Sequence, residues 1–341
     1  MSILDSKPLV SIGMPVYNGE RHVRQALDSL LAQDYENFEL IISDNASTDR
    51  TEEICQEYAK RDKRIQYYRN QVNMGLVWNF NQLFELSSSE YFMWAAHDDY
   101  RDPRYIRLCL EAFGISEDIV LVHTRIEVID RETGEFILTD NGFSTIGLSA
   151  VEKFRYIASQ NSRACCLIYG IFKSSALRKV MPFKKVLSLD SLLLSELSLQ
   201  GEFVTIPETL MFERLGGAAS VTVKRFCTDP QNVSNPLFRG YPFLGYFIHT
   251  QKIIFRTNRL SLIEKIRLDG YLTGDYIFLT VLRAADRSLS VLWPGVSRRA
   301  RELWDRAQLR RKHPGGAGIQ YHRRADKTSS DISAGDIGNN T

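Results

Sequence analysis

Two adjacent carboxylates, Asp98 and Asp99, follow an apolar run of strand length that spans residues 91–95. In an open α/β sheet, ligands bind in the crevice beyond the carboxyl ends of the strands, so acids at this position are well placed to hold a cation. Mg²⁺ binds one or two carboxylates and completes its shell with phosphate oxygens and water. The alternative is a turn with a helix cap, since Pro103 follows and an Asp pair has that local role too.

Three other polar stretches follow strand-like runs earlier in the chain. Residues 15–20 (PVYNGE) combine a turn with the flat face of a tyrosine, and residues 43–49 (SDNASTD) carry an acid that can accept hydrogen bonds from a base or ribose. Arg69 precedes a third stretch, residues 73–75 (NMG). The carboxyl ends of parallel strands meet at one sheet edge, so one ligand could contact all of them. Taken singly, each stretch is equally an ordinary strand-to-helix turn with capping residues.

The elements that must position these stretches alternate between strand and helix. Apolar runs predict strands at residues 9–14, 38–43, 65–68 and 91–95, and helical spacing predicts helices at 21–32, 51–59 and 76–86. This alternation predicts parallel βαβ units and an α/β fold, with a doubly wound, mostly parallel sheet and helices on both faces.

After Phe113 the pattern changes and becomes mixed. Strands are predicted at residues 119–129, 135–138, 167–172, 203–206 and 209–214, and helices at 149–158 and 190–200.

Three regions follow from these patterns. Residues 1–215 are predicted to form the ligand-binding and catalytic domain, and residues 216–312 a helical C-terminal extension with helices at 241–255 and 262–282. Residues 313–341 are rich in Gly, Ser and Asp with few apolar side chains, which predicts a disordered tail.

Composition excludes several classes of protein. A formal net charge of +2 over 341 residues gives no global field that would favour nucleic acid, and 44% hydrophobic residues suffice for a core. Five cysteines without a CxxC pair indicate reduced thiols and a cytoplasmic location. No signal peptide and no run of about 18 apolar residues is found. The basic segment 297–312 predicts peripheral contact with an anionic inner membrane face, a solvated helix or an oligomer contact.

The order and wording of the polar stretches resemble the inverting family 2 glycosyltransferases, which have a GT-A fold. The matching pieces are PVYN, SDNASTD, NMGL, HDDY and the helix from Asp190, and the resemblance covers roughly residues 8–214. It implies a nucleotide-diphospho-sugar donor, UDP- or dTDP-linked. It also implies, as the acceptor, a hydroxyl of a glycan or lipid-linked precursor in surface polysaccharide synthesis.

The resemblance also implies roles for single residues. Asp190 is the implied base, although locally an Asp before an apolar helix is equally an N-cap. Asp98, with Asp99 or His97 in support, is the implied ligand of Mg²⁺ or Mn²⁺, but Ala96 stands where many members carry a further acid. The implied nucleotide-sugar-binding residues are Pro15, Tyr17, Asn18, Glu20, Asp44, Asn45, Arg69, Asn73, Gly75, His97, Asp98, Asp99 and Arg214.

Two other functions fit parts of the pattern. A catalytically inactive nucleotide-sugar-binding protein would explain Ala96. A metal-dependent nucleotidyltransferase also places acids at strand ends, but the chain has no Gly-rich basic loop near its N-terminus. Dinucleotide oxidoreductases, P-loop enzymes and α/β hydrolases are disfavoured because no GxGxxG, GxxxxGK[ST] or GxSxG motif occurs.

Overall fold

The structure is a computed structural model that describes Leu4, residues 7–159 and 164–215, Phe226, and residues 229–292. The start of the predicted extension (residues 216–225), the basic segment 297–312 and the tail 313–341 lie outside these residues.

Strands and helices alternate through the first part of the chain, as the sequence predicted. The elements in order are β1 (Val10–Val16), α1 (Val23–Leu31), β2 (Phe38–Asp44), α2 (Thr51–Arg61), β3 (Ile65–Arg69), α3 (Leu76–Leu86), β4 (Tyr91–Trp94), β5 (Tyr100–Arg101) and α4 (Tyr105–Phe113).

The elements after Phe113 are longer strands mixed with helices. They are β6 (Ile119–Asp130), β7 (Phe136–Asp140), α5 (Ala150–Ser159), α6 (Ala164–Leu167), β8 (Ile171–Lys173), α7 (Ser174–Leu177), α8 (Leu189–Ser198), β9 (Glu202–Leu215), α9 (Pro236–Gly240), α10 (Pro242–Arg256) and α11 (Leu262–Leu292).

The described strands form one mixed, mostly parallel sheet in the order β3-β2-β1-β4-β8-β6-β9-β5, with β7 beside β6. Strands β1, β2, β3 and β4 pair in parallel with one another, whereas β8 pairs antiparallel with both β4 and β6. The register of β1 and β2 places Val16 opposite Asp44. The polar stretches after these strands therefore leave the sheet at one edge.

Helices cover both faces of the sheet, which explains why its central strands are apolar throughout. Successive residues of β4 show this: Met93 belongs to the core under α1 and α4, whereas Phe92 and Trp94 belong to the core under α3 and α8. All four residues of β4 are buried. A strand covered on both faces reads as a continuous apolar run rather than an alternating one.

Several elements differ from the prediction. The strands expected at 203–206 and 209–214 are one strand, β9, whose pairing with β6 skips residues 207–208. The run 167–172 begins with the end of helix α6, and only its last residues join β8. Strand β5 was missed because two residues carry no periodicity; it exists through its pairing with β9.

The last helices are joined to the sheet domain through an apolar cluster. Ile254 of α10 and Leu268 and Leu272 of α11 pack with Phe154 of α5 and with Leu199. The hydroxyl of Tyr246 donates a hydrogen bond to the carbonyl of Ala158 at 3.2 Å. Within the described part of the chain, none of the helices combines the length and the apolar character that crossing a bilayer would require.

Candidate active site

A cleft of about 710 Å³ opens where β1, β2 and β4 end. Its wall is completed by the start of α8, the end of β9 and residues 229–232. Most residues that the sequence singled out line this one cleft. They are Pro15, Tyr17, Asn18, Asn45, Asn73, Gly75, His97, Asp98, Asp99, Asp190 and Arg214.

The loops after β1 and β2 are tied together by hydrogen bonds. The backbone N–H of Asn18 donates to Ser47 Oγ at 3.0 Å, and Asn18 Oδ1 accepts from the Thr48 N–H at 2.8 Å. Glu20 Oε2 accepts from the Arg50 N–H at 3.0 Å, and Glu20 is not among the residues lining the cleft. Asn18 and Glu20 thereby fix the two loops, while Tyr17 stays 43% exposed.

Asp44 and Arg69 lie outside the lining of the cleft as well. Asp44 is completely buried and accepts hydrogen bonds from the Ser47 N–H at 2.8 Å and from the Tyr67 hydroxyl at 2.7 Å. Arg69 Nε lies 2.9 Å from Glu52 Oε2 and 3.8 Å from Asp44 Oδ2. In this structure both side chains stabilise the turn after β2.

A network of amides shapes the floor of the cleft. Asn45 Nδ2 donates to Asn73 Oδ1 at 2.9 Å, and Asn45 Oδ1 accepts from the Met74 N–H at 2.8 Å. Gly75 has φ +85°, a backbone conformation that glycine adopts readily. The segment 229–232 closes over this turn, since Asn232 Oδ1 accepts from the Leu76 N–H at 3.2 Å.

Asp98 is buried and engaged by a residue from a distant turn. Its Oδ2 accepts a hydrogen bond from Arg131 Nη1 at 2.6 Å. Arg131 follows β6 directly and also lines the cleft. Arg214 reaches the same place, because its Nη1 donates to the carbonyl oxygen of Asp98.

Asp99 and Glu213 form the acidic end of the cleft. Asp99 Oδ1 accepts from the Arg214 N–H at 3.0 Å. Burial, followed by the charges of Asp98 and Glu213, raises the pKa of Asp99 well above its usual range. Burial likewise raises the pKa of Glu213, whose Oε2 accepts from Cys166 Sγ at 3.0 Å.

His97 packs against the loop after β1. Its Cδ2 lies 2.5 Å from the position that a Cβ on Gly19 would occupy, so only glycine fits beside the ring. Burial lowers the pKa of His97, which keeps the imidazole neutral. His97 therefore contributes to the shape of the cleft and adds no positive charge to it.

Asp190 stands on the opposite wall, in the first turn of α8. The helix begins after Ser188, which has φ 56°, and Asp190 Oδ1 accepts the N–H of Ser191 at 2.9 Å. The carboxylate therefore sits within the helix and not at the N-cap position. Burial raises the pKa of Asp190, and in the described structure it has no cationic partner. A carboxylate with a raised pKa is a stronger base.

The comparisons with known proteins place the chain in a family. The family model described as "Glycosyl transferase family 2" matches residues 11–185. The chain belongs to glycosyl transferase family 2. All of β1 except Val10, strands β2 to β4, the loops after them and the Asp98–Asp99 pair lie within the matched residues, whereas Asp190 and Arg214 lie beyond them.

Relatives in family 2 cover part of the chain. An uncharacterized glycosyltransferase of Rickettsia typhi is 35% identical over 140 residues, which are 40% of this chain and 43% of the relative. One from Haemophilus influenzae is 30% identical over 132 residues, 38% of this chain and 41% of the relative. The matched region thus spans about two fifths of these relatives.

Solved structures show the fold. S. aureus TarS 1-349, crystallised in complex with UDP-GlcNAc, superposes with a TM-score of 0.57 at 18% identity, covering 76% of this chain and 70% of that one. The fold of this family 2 chain is the GT-A type that the sequence predicted.

Several lining residues escaped the sequence analysis. Arg131 and Asn232 line the cleft but stand in none of the stretches that the sequence singled out. Glu213 directly precedes Arg214, so its position next to a predicted binding residue was a usable signal. The other unpredicted polar residues of the lining are Asn79, Ser188 and Asp229.

The side chains of the cleft fit a divalent cation that is shared with phosphate. Asp98, Asp99 and Glu213 offer carboxylate oxygens at one end. Among the described residues no group of three or more His, Cys, Asp or Glu is placed to hold a metal ion, so the protein would supply at most two of its ligands. One or two carboxylates completed by phosphate oxygens is the arrangement that Mg²⁺ prefers, and this end of the cleft can supply it.

Proposed function

We propose that this chain is a metal-assisted inverting glycosyltransferase that moves one sugar from a UDP- or dTDP-linked donor to a hydroxyl of a glycan or lipid-linked acceptor. The observation that supports this most directly is that Asp98 and Asp190 line the same cleft from two walls. One carboxylate can serve the leaving diphosphate and the other the attacking hydroxyl.

The donor would lie along the loops that follow β1 to β4. Tyr17 offers an exposed ring against which a base can stack. Asn45 and Asn73 present amides beside it, and in this proposal they position the ribose. A fold neighbour, S. aureus TarS, has been crystallised with UDP-GlcNAc, which agrees with a nucleotide-sugar donor.

Asp98, supported by Asp99 or Glu213, would hold Mg²⁺ or Mn²⁺ against the diphosphate. When bound, the cation supplies Lewis-acid stabilisation of the charge that the leaving diphosphate gains. Arg131 and Arg214 flank the same carboxylates and can donate hydrogen bonds to phosphate oxygens once the donor is present.

Asp190 would act as the base. Its carboxylate takes the proton of the acceptor hydroxyl, and the hydroxyl oxygen forms the new bond to the anomeric carbon. The bond from that carbon to the diphosphate breaks on the opposite side, which inverts the configuration. A single base suffices, because the leaving group departs as a diphosphate and does not need a protonating acid.

The test is turnover of nucleotide sugars by the full chain, with and without EDTA, using Asp98→Ala and Asp190→Ala as variants. A thermal-shift screen of UDP- and dTDP-sugars with Mn²⁺ would first identify the donor, since at equal concentration a ligand that binds the native state more tightly stabilises it more. Transfer that continues in EDTA would remove the cation from the proposal. Full transfer by Asp190→Ala would remove the base.

The proposal includes a location at the cytoplasmic face of the membrane. The basic segment 297–312 would contact anionic lipids and bring the site to a lipid-linked acceptor. Co-sedimentation with anionic vesicles, compared with a chain that ends before Ser297, tests this contact; equal recovery of both chains would end it.

A second candidate is a nucleotide-sugar-binding protein without transferase activity. One observation favours it: Arg131 already neutralises the Asp98 carboxylate, and Ala96 offers no further acid. Tight binding of a nucleotide sugar with neither transfer nor hydrolysis, in the presence of Mn²⁺ and acceptor extract, would select this candidate.

A further inference from the structure

The corner between α10 and α11 exposes an unusual amount of apolar surface. We call residues 252–267 the hairpin corner; it includes the last turns of α10, the connecting loop and the first turns of α11. Phe255 is 51% exposed, Leu262 69%, Ile263 65% and Ile266 58%. Large apolar side chains in such proximity mark an interaction surface more often than chance exposure does.

The exposed apolar side chains of α11 lie on the face of the helix that points away from the core. In α11 the core is contacted by Leu268 and Leu272, which are 1% and 9% exposed. Ile263 and Ile266 lie on the other side of the helix, and the same exposed stripe continues through Gly270 to Ile277, which is 56% exposed. The helix thus has one apolar face for the core and a second that the described chain leaves uncovered.

The charges of the hairpin corner are almost all positive. The segment contains five cations and one acid, Glu264. The carboxylate of Glu264 accepts from the Ser261 N–H at 2.8 Å, so it caps its own helix. No ion pair involves the cations of this segment within the part of the chain that the structure describes. These cations are Lys252, Arg256, Arg259, Lys265 and Arg267.

We propose that the hairpin corner docks on a lipid bilayer that carries anionic headgroups. Leu262, Ile263 and Ile266 enter the boundary between headgroups and acyl chains, and the surrounding cations meet lipid phosphates. A symmetric pairing with a second copy is disfavoured by charge, because each copy would bring five cations to the same interface. An anionic bilayer accommodates both kinds of residue, because its acyl chains receive the apolar side chains and its headgroup phosphates pair with the cations.

Docking at this corner has a consequence for the site, which rests on the proposed function. Helix α10 packs against α8, the helix that carries Asp190. The bilayer would then hold the wall with the base at a fixed height above the membrane surface.

The test uses the full chain and vesicles of phosphatidylcholine, alone or mixed with phosphatidylglycerol. One variant carries Leu262→Ser, Ile263→Ser and Ile266→Ser; its control carries Ile115→Ser and Ile146→Ser, two apolar residues that are 70% and 58% exposed elsewhere. We expect the first variant to lose about 10-fold or more in partitioning to the mixed vesicles. The control should partition as the unchanged chain does.

A second variant removes charge through Arg256→Gln, Arg259→Gln and Arg267→Gln. Its control carries Lys60→Gln, Lys63→Gln and Lys179→Gln, which are exposed lysines of the sheet domain. We expect about a 5-fold loss of partitioning for each of the three charges removed from the corner. We expect a much smaller loss in the control.

Donor binding is measured in parallel by the thermal shift with UDP, so that misfolding and failure of the nucleotide site are seen separately from failure to dock. Equal partitioning of the corner variants and their controls would overturn the proposal. The proposal would also be overturned if the unchanged chain did not partition to the mixed vesicles. The same holds if the unchanged chain sedimented as a dimer and the serine variant as a monomer. In that last case the corner joins two copies.

Discussion

Arg131 places Nη1 2.6 Å from Oδ2 of Asp98, and their side chains are only 22% and 7% exposed. A cation of the chain itself therefore occupies the carboxylate that is proposed to hold the metal. An ion pair shielded from water is screened weakly by salt, so this contact persists in buffer. A metal ion that binds Asp98 must therefore compete with the Arg131 guanidinium for the same carboxylate.

Replacing Arg131 with Gln should tighten the binding of Mn²⁺ to the nucleotide-free protein. Removal of the competing guanidinium leaves Asp98 free, and we expect a Kd about 10-fold lower, which corresponds to about 1.4 kcal/mol. The measurement is a titration of free Mn²⁺ by electron paramagnetic resonance. Arg104→Gln is the matched control, since Arg104 pairs with Asp102 at an exposed site. Equal Kd values for both variants would refute the competition.

Transfer should depend on pH through Asp190. Burial raises the pKa of this carboxyl, and only its deprotonated form can accept the proton of the hydroxyl. The rate kcat should therefore fall as the pH drops through that raised pKa, above the range of an ordinary Asp near 3.9. A pH profile of kcat shows the limb, and Asp190→Asn should lower kcat by about 100-fold or more at its optimum. An unshifted limb would argue for another base.

The same burial should make Asp190 a stability liability. Because the folded protein holds this proton more tightly than the unfolded chain does, its contribution to stability is present at low pH and is lost as the pH rises to the raised pKa. At neutral pH we expect Asp190→Asn to increase the free energy of unfolding by about 1 kcal/mol. Urea denaturation of both proteins at several pH values measures it, and the difference should vanish in acid.

Gly75→Ala should weaken both the fold and donor binding. At φ +85° a side chain costs about 1–2 kcal/mol, and the added Cβ would lie 2.7 Å from Gln231 Cβ. Gly147→Ala is the control, because Gly147 has φ +82° and no atom within 4 Å of the added Cβ. Thermal unfolding and UDP titration of both variants separate the backbone effect from the contact. Equal losses of thermal stability and UDP affinity in both variants would show that segment 229–232 moves away from the added Cβ at no energetic cost.

The sequence predicted those helices and loops whose positions are determined by the residues within and next to them. Helix α3 was placed at its observed bounds, Leu76–Leu86, because its apolar spacing and the preceding Gly75 are local signals. The loops after β1, β2 and β4 were found for the same reason: parallel strands bring their carboxyl ends together whatever the details.

The rest depends on contacts between distant residues. Arg131 meets Asp98 across 33 positions, and Asn232 meets Leu76 across 156. Neither Arg131 nor Asn232 stands in a motif, and an exposed-looking turn gives no sign that its arginine points into a cleft. Strand β5 exists only because it pairs with β9, and its two residues show no pattern in the sequence. For Asp190 the sequence left capping and catalysis open, and the observed position inside the helix could not be read from composition.

The contact between Asn232 and the start of α3 sets an order of events during synthesis. The strands and loops of residues 10–101 leave the ribosome long before residue 232 does, and domains fold from the N-terminal side as the chain emerges. Until residues 229–232 arrive, the wall beside Gly75 is incomplete. The proposed donor can therefore stabilise this protein only after residue 232 has been synthesised.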